Sequence, residues 1–172
     1  MKKVLILVIV WIGLVEAKGK TEKIGDVLNV LIPALAFLPS VYMQDEKAKI
    51  EFLKAYGSTI LTTYVLKFTV REERPNGTNL RSFPSGHTSS AFSGATFIHK
   101  KYGLLYALPA YVGSVYTAYS RVHAKKHFTH DVIAGAVIGA GFSWYFITPY
   151  EGFNVTPLVD SGYYGLELDY KW

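Results

Sequence analysis

Residues 82–90 read SFPSGHTSS, and the rest of the chain is organised around this stretch. Pro84 and Gly86 interrupt regular structure, and the small hydroxyl residues after them lead into a helical pattern over 91–101. A loop that opens a helix presents unpaired backbone N–H groups and the positive end of the helix dipole, which suit an anion and above all a phosphate. His87 is expected on the first helical turn, within reach of that anion. Taken alone, these residues fit an ordinary helix cap equally well.

Two other stretches carry residue types that agree with a phosphate site. Upstream, the sequence KFTVREERP places Lys67 and Arg74 seven positions apart. Downstream, Arg121 is followed by His127 and Asp131. The last two are four positions apart, so on a helix or its entry turn they share a face and the carboxylate can hold the imidazole. Three cations, two histidines, a carboxylate and an N–H-rich loop together predict phosphoryl transfer through a histidine.

Each residue type has a role in that chemistry. A phosphate ester resists attack mainly because its oxygens are negative, so a site must neutralise their charge and hold the ester in line. We expect His127, kept in the correct tautomer by Asp131, to attack phosphorus, and His87 to protonate the departing oxygen and later activate water. No metal or other cofactor is needed, because side chains supply the positive charge. The groups expected to bind the phosphate oxygens are Lys67, Arg74, Ser85, the N–H of Gly86, and Arg121.

The other histidines are interpreted as lying outside this chemistry. His99 is expected on a helix surface or interface, and His123 and His130 on loops at the rim of the site, although His130 could compete for Asp131. A metal site built from His127, His130 and Asp131 would leave the three cations unexplained, so we reject it.

At these residues the sequence resembles the type 2 phosphatidic acid phosphatase superfamily, which also includes bacterial acid phosphatases and vanadium haloperoxidases. The family pattern is Lys-x6-Arg-Pro, then Pro-Ser-Gly-His, then Ser-Arg-x5-His-x3-Asp. The resemblance implies the same roles as those argued above, with no metal. The chain matches the pattern in order and without a departure, at Lys67/Arg74/Pro75, Pro84/Ser85/Gly86/His87 and Ser120/Arg121/His127/Asp131.

Composition limits the class of protein. At 172 residues the chain is long enough for one domain with a buried core, and without cysteine it has neither disulfides nor thiolate metal sites. The net charge is +5, and the cations cluster around the three motifs and at residues 18–23. This distribution favours an anionic substrate or a membrane surface, and no nucleic-acid-binding motif is visible.

The chain order predicts an all-α protein with two extensions. Residues 1–17 combine a lysine pair, a short apolar run and a small-residue exit, which is typical of a bacterial signal peptide or an N-terminal anchor. Residues 18–150 are expected to form the phosphatase domain, a bundle of about five helices with all three motifs at one end. In residues 151–172 apolar and polar residues alternate, which predicts a short C-terminal β-hairpin.

Hydropathy favours a membrane location for the bundle. Three uncharged runs, 27–44, 103–120 and 132–150, are expected to shield the second and third helices, which are more polar or shorter. The charge pattern then places the active-site end on the periplasmic face of the inner membrane. The sequence gives no indication of oligomeric state.

These observations predict a metal-independent phosphatase that hydrolyses a phosphomonoester or pyrophosphate of a membrane lipid through a phosphohistidine. The first alternative is a soluble periplasmic acid phosphatase that acts on small phosphate esters. A vanadium haloperoxidase is a weaker alternative, because the chain is short and its helices are apolar. The sequence does not identify the lipid.

Overall fold

The computed structural model describes residues 19–150 in full and the backbone of two strands, residues 153–160 and 163–170. The expected signal or anchor over 1–17 lies outside the described residues. Residues 19–150 form an all-α bundle, which confirms the predicted fold class. Its five helices are α1 (Lys20–Tyr42), α2 (Glu46–Val70), α3 (Gly86–Tyr102), α4 (Leu104–His123) and α5 (Thr129–Phe146).

Local chemistry fixes several helix ends. The Asp45 carboxylate accepts a hydrogen bond of 2.8 Å from the N–H of Ala48, so α2 begins with a side-chain cap. The same helix ends at Arg71, which adopts the left-handed conformation (φ 52°) and turns the chain into the loop before α3. Ser85 precedes α3 in an extended conformation, as the sequence SFPSGHTSS predicts.

Helix α3 is the centre of the bundle and packs against all four other helices. Its small residues allow very close approach. The backbone of Pro33 in α1 lies where a side chain on Gly94 would begin, and the backbone of α3 lies where side chains on Gly135 and Gly139 of α5 would begin. The close helix contact predicted from the small residues of α3 and α5 is therefore confirmed.

The interior is unusually polar for a helical bundle. Fully buried hydroxyl groups bond across helices, as when Thr63 of α2 donates to Ser89 of α3 over 3.0 Å, and Ser143 of α5 donates to the carbonyl of Ser93 over 3.0 Å. The largest apolar cluster lies toward the opposite end from the three motifs, around Phe97 and its edge-to-face contact with Phe52.

The exterior, in contrast, is strongly apolar. Leu61 on α2, Val112 on α4 and Val137 on α5 are 66%, 70% and 66% exposed. Helix α2 therefore differs from expectation, since it presents an apolar face outward and is not shielded by the other helices. Among the described helices, α1 is long and apolar enough to cross a membrane, a test that buried core helices and signal sequences also pass.

A buried ion cluster closes the end of the bundle away from the motifs. The Lys101 ammonium lies 3.2 Å from the Glu51 carboxylate and 3.7 Å from that of Asp45. Glu51 also accepts a hydrogen bond of 2.6 Å from the Thr148 hydroxyl. Helices α2 and α3 and the segment after α5 are thereby joined at this pole.

Beyond the bundle, β1 (Phe153–Asp160) and β2 (Tyr163–Tyr170) pair in antiparallel fashion. Phe153 lies opposite Tyr170, and Asp160 lies opposite Tyr163. Both strands fall within the segment for which the sequence predicts a hairpin.

Candidate active site

The up-and-down order of the helices brings the three motifs to one end of the bundle. Helices α1, α3 and α5 begin at this end, whereas α2 and α4 end there. Three positive helix-dipole ends therefore converge on the site, while the last turns of α2 and α4 supply Lys67 and Arg121.

The start of α3 is open to a ligand. No side chain caps it, and the first hydrogen bond from its backbone runs from Ser89 N to Ser85 O over 3.0 Å. The N–H groups of Gly86 and Thr88 come before that bond, so they have no partner in the helix itself. Ser85 is fully buried, and its own N–H donates to the Asp131 carbonyl of α5 over 3.0 Å.

Lys67 organises the loop that leads to this helix. Its ammonium donates to the carbonyls of Arg81, Ser82 and Pro84 at 3.1, 3.3 and 2.5 Å. The loop is therefore wrapped around a buried positive charge. Lys67 thus contributes charge and loop geometry together, while its stem packs near Gly86.

His127 and Asp131 form the pair that their spacing predicts. The Nδ1 atom of His127 lies 3.3 Å from Oδ2 of Asp131, just before and within the first turn of α5. The same carboxylate oxygen accepts 2.5 Å and 2.9 Å hydrogen bonds from the Ser82 hydroxyl and the N–H of Phe128. Because Asp131 is fully buried and held by these donors, it fixes the imidazole with Nε2 pointing away from the carboxylate.

The electrostatic environment keeps His127 neutral. Burial, reinforced by the nearby positive charges of Lys67 and Arg74, lowers the pKa of the His127 imidazole well below its ordinary value, against the opposing effect of Asp131. A neutral imidazole has a free ring nitrogen, which is the state that a nucleophile requires.

Asp26 contacts two of the predicted site residues, Arg121 and His87. Its Oδ1 atom accepts from the Arg121 guanidinium over 2.8 Å and lies 3.0 Å from Nε2 of His87. Arg121 is also held by the Ser120 hydroxyl and the Glu22 carbonyl, at 3.1 and 2.8 Å. These three bonds use three of the five N–H groups of the guanidinium.

Arg74 completes the set of cations. Within residues 19–150 its buried Nε has no hydrogen-bond partner. Burial, and then the positive charge of Arg121, lower the pKa of the Arg74 guanidinium. A buried donor without a partner, next to a second cation, is the arrangement expected where an anion binds.

His130 lies closer to the site than a rim position implies. Its Nε2 atom is 2.8 Å from the Glu72 carboxylate and 3.2 Å from Oδ1 of Asp131, so the competition for Asp131 raised from the sequence has a structural counterpart. Ligand atoms of Glu72, His130 and Asp131 lie within 4.8 Å of one another, which a metal ion would also require. His127 and Ser82 engage only Oδ2 of the Asp131 carboxylate, and within residues 19–150 its buried Oδ1 has no hydrogen-bond partner.

The two remaining histidines lie apart from this cluster. His99 contacts Tyr111, with 3.1 Å between its Nδ1 and the phenol oxygen, and its ring packs edge-on against Trp144. His123 stacks on Tyr119 at the end of α4.

Sequence reasoning missed four residues of the site: Glu22, Asp26, Glu72 and Ser82. Asp26 had a readable signal, because it is a lone carboxylate at the start of an otherwise apolar stretch, where a buried charge requires a partner. Ser82 lies inside the quoted stretch, but nothing in the sequence pairs it with a carboxylate 49 positions away.

A helical bundle that gathers buried cations, an open helix start and a carboxylate-held neutral histidine at one end is the fold and site of a phosphate-handling enzyme. The chain belongs to the PAP2 superfamily, whose sequence profile matches residues 48–153. This confirms the family resemblance seen in the three motifs.

Two relatives and one solved structure support the assignment. The chain is 31% identical to the lipid A 4'-phosphatase of Helicobacter pylori over 169 residues, which cover 88% of this chain and 85% of that protein. It is 38% identical over 76 residues to the lipid A 1-phosphatase of Porphyromonas gingivalis, covering 42% of this chain but 17% of that longer protein. The crystal structure of Aquifex aeolicus LpxE shares the fold, with a TM-score of 0.54 at 24% identity over 76% of this chain and 88% of that one. Because both relatives are phosphatases, the predicted class of phosphoric ester hydrolase is confirmed.

Proposed function

We propose that the protein is a metal-independent phosphatase that removes a phosphate from the head group of a membrane lipid through a phosphohistidine. The observation that carries the proposal is the buried His127 imidazole, held by Asp131 and close to Lys67 and Arg74 at an open helix start. A nucleophile, its orienting carboxylate and a preformed anion cradle are the parts that such a reaction needs.

In the first step, Nε2 of His127 attacks phosphorus while Nδ1–H donates to Asp131. A P–N bond forms and the P–O bond to the lipid breaks. His87 gives its proton to the departing oxygen, so the lipid leaves as an alcohol, or as a phosphate if the substrate is a pyrophosphate. The Asp26 carboxylate, 3.0 Å from Nε2 of His87, orients the imidazole for this step.

In the second step, water attacks the phosphohistidine. His87, now neutral, takes a proton from the water, the P–N bond breaks, and His127 returns to its neutral state. Inorganic phosphate then leaves, and both histidines have regained their starting protonation.

The transferred phosphoryl group carries its negative charge on three oxygens, and the donors and cations of the proposed site neutralise that charge. We assign the oxygens to the unpartnered Nε of Arg74, the remaining N–H groups of Arg121, and the N–H of Gly86. Lys67 contributes its charge while it holds the loop, and Ser85 positions the start of α3. Because side chains supply this positive charge, the scheme needs no metal.

The surface of the bundle supports a lipid as the substrate. Apolar side chains cover the outside of α1, α2, α4 and α5, whereas the interior is rich in hydroxyl groups, a distribution suited to hydrocarbon surroundings. Both relatives act on lipid A, so we propose a phosphorylated glycolipid of the bacterial envelope as the substrate class. We further propose that residues 18–150 are the catalytic domain and that its site faces the periplasm.

The test is phosphate release from lipid phosphates and from a soluble aryl phosphate, with EDTA present, by the wild type, His127→Ala and the matched control His123→Ala. We expect EDTA-resistant release from lipids that His127→Ala abolishes and His123→Ala leaves within about twofold. A phosphorylated protein that is labile in acid and stable in base should accumulate in a rapid quench.

Three results would contradict parts of the proposal. Release confined to the aryl phosphate would favour a soluble-ester phosphatase. Activity of His127→Ala within about tenfold of wild type, a loss of about 1.4 kcal/mol or less, would remove His127 as the nucleophile. Release from the outer surface of inverted inner-membrane vesicles would contradict a periplasmic site.

A further inference from the structure

Three potential metal ligands lie against the catalytic pair, and two of them have no role in the mechanism above. Nε2 of His130 lies 2.8 Å from Oε1 of Glu72 and 3.2 Å from Oδ1 of Asp131. Glu72 belongs to the loop after α2, whereas His130 and Asp131 lie on the first turn of α5. Ligand atoms of all three residues lie within 4.8 Å of one another. One ring nitrogen therefore faces two carboxylate oxygens.

A single ring nitrogen carries at most one proton, so it cannot serve both oxygens. Nε2 of His130 bonds the Glu72 carboxylate, and among residues 19–150 nothing donates a hydrogen bond to Oδ1 of Asp131, although Asp131 is fully buried. A buried carboxylate oxygen without a donor is costly. A divalent cation between the three atoms would satisfy both oxygens and use the lone pair of the nitrogen.

The surrounding residues hold the histidine and the loop in position. The His130 ring stacks on Phe128, with centroids 5.4 Å apart and planes 10° apart, and contacts the Phe83 ring at 6.1 Å. The Glu72 carbonyl accepts a hydrogen bond of 2.9 Å from the N–H of Ser82, which fixes the loop that carries this carboxylate. The His130 side chain is 57% exposed, so a cation from solution reaches the cluster on this side.

The donor set suits zinc. Zinc accepts imidazole nitrogen and carboxylate oxygen at about 2.0–2.2 Å, so the ligand atoms of a tetrahedral site lie about 3.3 Å apart. Two of the separations here, 2.8 and 3.2 Å, are close to that value. Water would complete the tetrahedron on the exposed side. Magnesium prefers six oxygen ligands and is disfavoured by the imidazole.

We propose that Glu72, His130 and Asp131 bind a zinc ion that inhibits the enzyme. Zinc on Oδ1 of Asp131 withdraws electron density from Oδ2, the oxygen that lies 3.3 Å from Nδ1 of His127. A carboxylate shared with a dication stabilises the positive ring of a phosphohistidine less, so the intermediate forms more slowly. The zinc trio differs from the metal site excluded on sequence grounds, because Glu72 takes the place of His127 and the nucleophile keeps its free Nε2. Zinc binding is argued from geometry alone, whereas the inhibition rests on the proposed function.

The experiment uses the full chain in detergent, without an affinity tag, after treatment with EDTA and removal of the chelator. The probe is zinc chloride, and its binding is measured by titration calorimetry. The proteins are the wild type, Glu72→Gln, His130→Gln and the matched control His123→Gln, which removes an exposed histidine outside the cluster. Thermal unfolding in EDTA confirms that each variant is folded. Phosphate release from a lipid phosphate is then followed as zinc is added, and each protein is compared with its own zinc-free rate.

We expect one zinc ion to bind through this cluster. Residues that only support a metal ligand are worth about 10–100-fold in affinity, so the loss of a ligand in Glu72→Gln or His130→Gln should weaken zinc binding at least tenfold. His123→Gln should bind zinc within about twofold of the wild type. The zinc concentration that halves phosphate release should rise in each variant by the same factor as its dissociation constant. Magnesium chloride at the same concentrations should not inhibit.

The absence of zinc binding, or binding that Glu72→Gln and His130→Gln both leave within about twofold, would overturn the site; the second result would mean adventitious zinc elsewhere on the chain. Zinc that binds through the cluster without slowing phosphate release would overturn the inhibition. If the zinc-free wild type releases no phosphate from any lipid, the proposed function fails and the inhibition with it, while calorimetry still decides the zinc site.

Discussion

Replacement of Gly135 by alanine tests whether the close packing of α5 against α3 sets the position of the start of α3 relative to His127. Gly135 lies one turn beyond Asp131, and a methyl group there would lie 2.5 Å from the Ser85 carbonyl oxygen and 3.3 Å from Ser89 N. Both are backbone atoms of α3, so neither can rotate away. Gly141 lies on the same helix, and a methyl group there meets no atom within 4 Å. Gly141→Ala is therefore the matched control.

The expected loss of catalytic rate follows from how closely the added methyl group would approach the backbone at the start of α3. Ordinary contact begins near 3.4 Å, so α5 and α3 must separate by roughly 1 Å to admit the methyl group at Gly135. That movement lengthens the bond from Ser85 N to the Asp131 carbonyl and displaces the start of α3 from His127. A displacement of about 1 Å in a catalytic arrangement costs roughly 100-fold in rate, or about 2.7 kcal/mol.

Stability should change less than activity in this variant. Overpacking costs about 1–3 kcal/mol, and alanine returns about 1 kcal/mol of helix propensity, so Gly135→Ala should lose about 0–2 kcal/mol. Gly141→Ala has only the second effect and should be neutral or slightly more stable. The measurements are kcat on a phosphorylated lipid and the thermal midpoint followed by tryptophan fluorescence. If Gly135→Ala keeps kcat within about threefold of Gly141→Ala, the close packing of α3 and α5 does not set the catalytic geometry.

Three further predictions use the described contacts. Asp26→Asn removes the charge that His87 and Arg121 share, so kcat should fall on the order of tenfold to a hundredfold; because the buried Arg121 loses its countercharge but keeps an oxygen acceptor, the free energy of unfolding should also fall by about 1–3 kcal/mol. The pKa of His127 is lowered from 6.5 in the folded protein, so below pH 6.5 the unfolded chain binds a proton that the folded protein does not bind. The free energy of unfolding should therefore fall by about 1.4 kcal/mol for each pH unit below 6.5 and be unaffected by this residue above it. The pH slope should be shallower in His127→Gln. Lys101→Met leaves the buried Glu51 carboxylate uncompensated, so the free energy of unfolding should fall by about 3–5 kcal/mol. The control Lys100→Met removes only the contact with Trp144 and should lower it by no more than about 1 kcal/mol.

Each of these three predictions has an outcome that counts against it. Full activity in Asp26→Asn would show that the contact with His87 is dispensable. An unchanged pH slope in His127→Gln would mean that another group dominates acid sensitivity. Equal melting of the two lysine variants would show that the buried ion cluster contributes nothing specific.

The helices were predictable because the spacing of apolar residues, and the proline and glycine residues at helix ends, are local features of the sequence. The pair His127 and Asp131 was predictable for the same reason, since a spacing of four places them on one face. Asp26 was not, because its partners lie 61 and 95 positions further along the chain and only the packing of α1 against α3 and α4 brings them together. Position in the sequence does not encode that juxtaposition.

The burial and partners of charged residues were also harder to predict from the sequence than the positions of apolar segments. Lys101 follows Lys100 at the end of α3 and looks like one of a solvated pair, but the structure buries it against Glu51, 50 positions away.

An odd number of antiparallel helices has a consequence for how the protein is oriented. The start of α1 lies at the catalytic end, whereas Tyr150 donates its N–H to the Lys101 carbonyl at the other pole. In a bilayer-spanning bundle, chemical labels placed at residues 19 and 150 would therefore react from opposite compartments. The strand pair follows Tyr150 in the chain, so in such a bundle it would begin on the side of the membrane remote from the reaction.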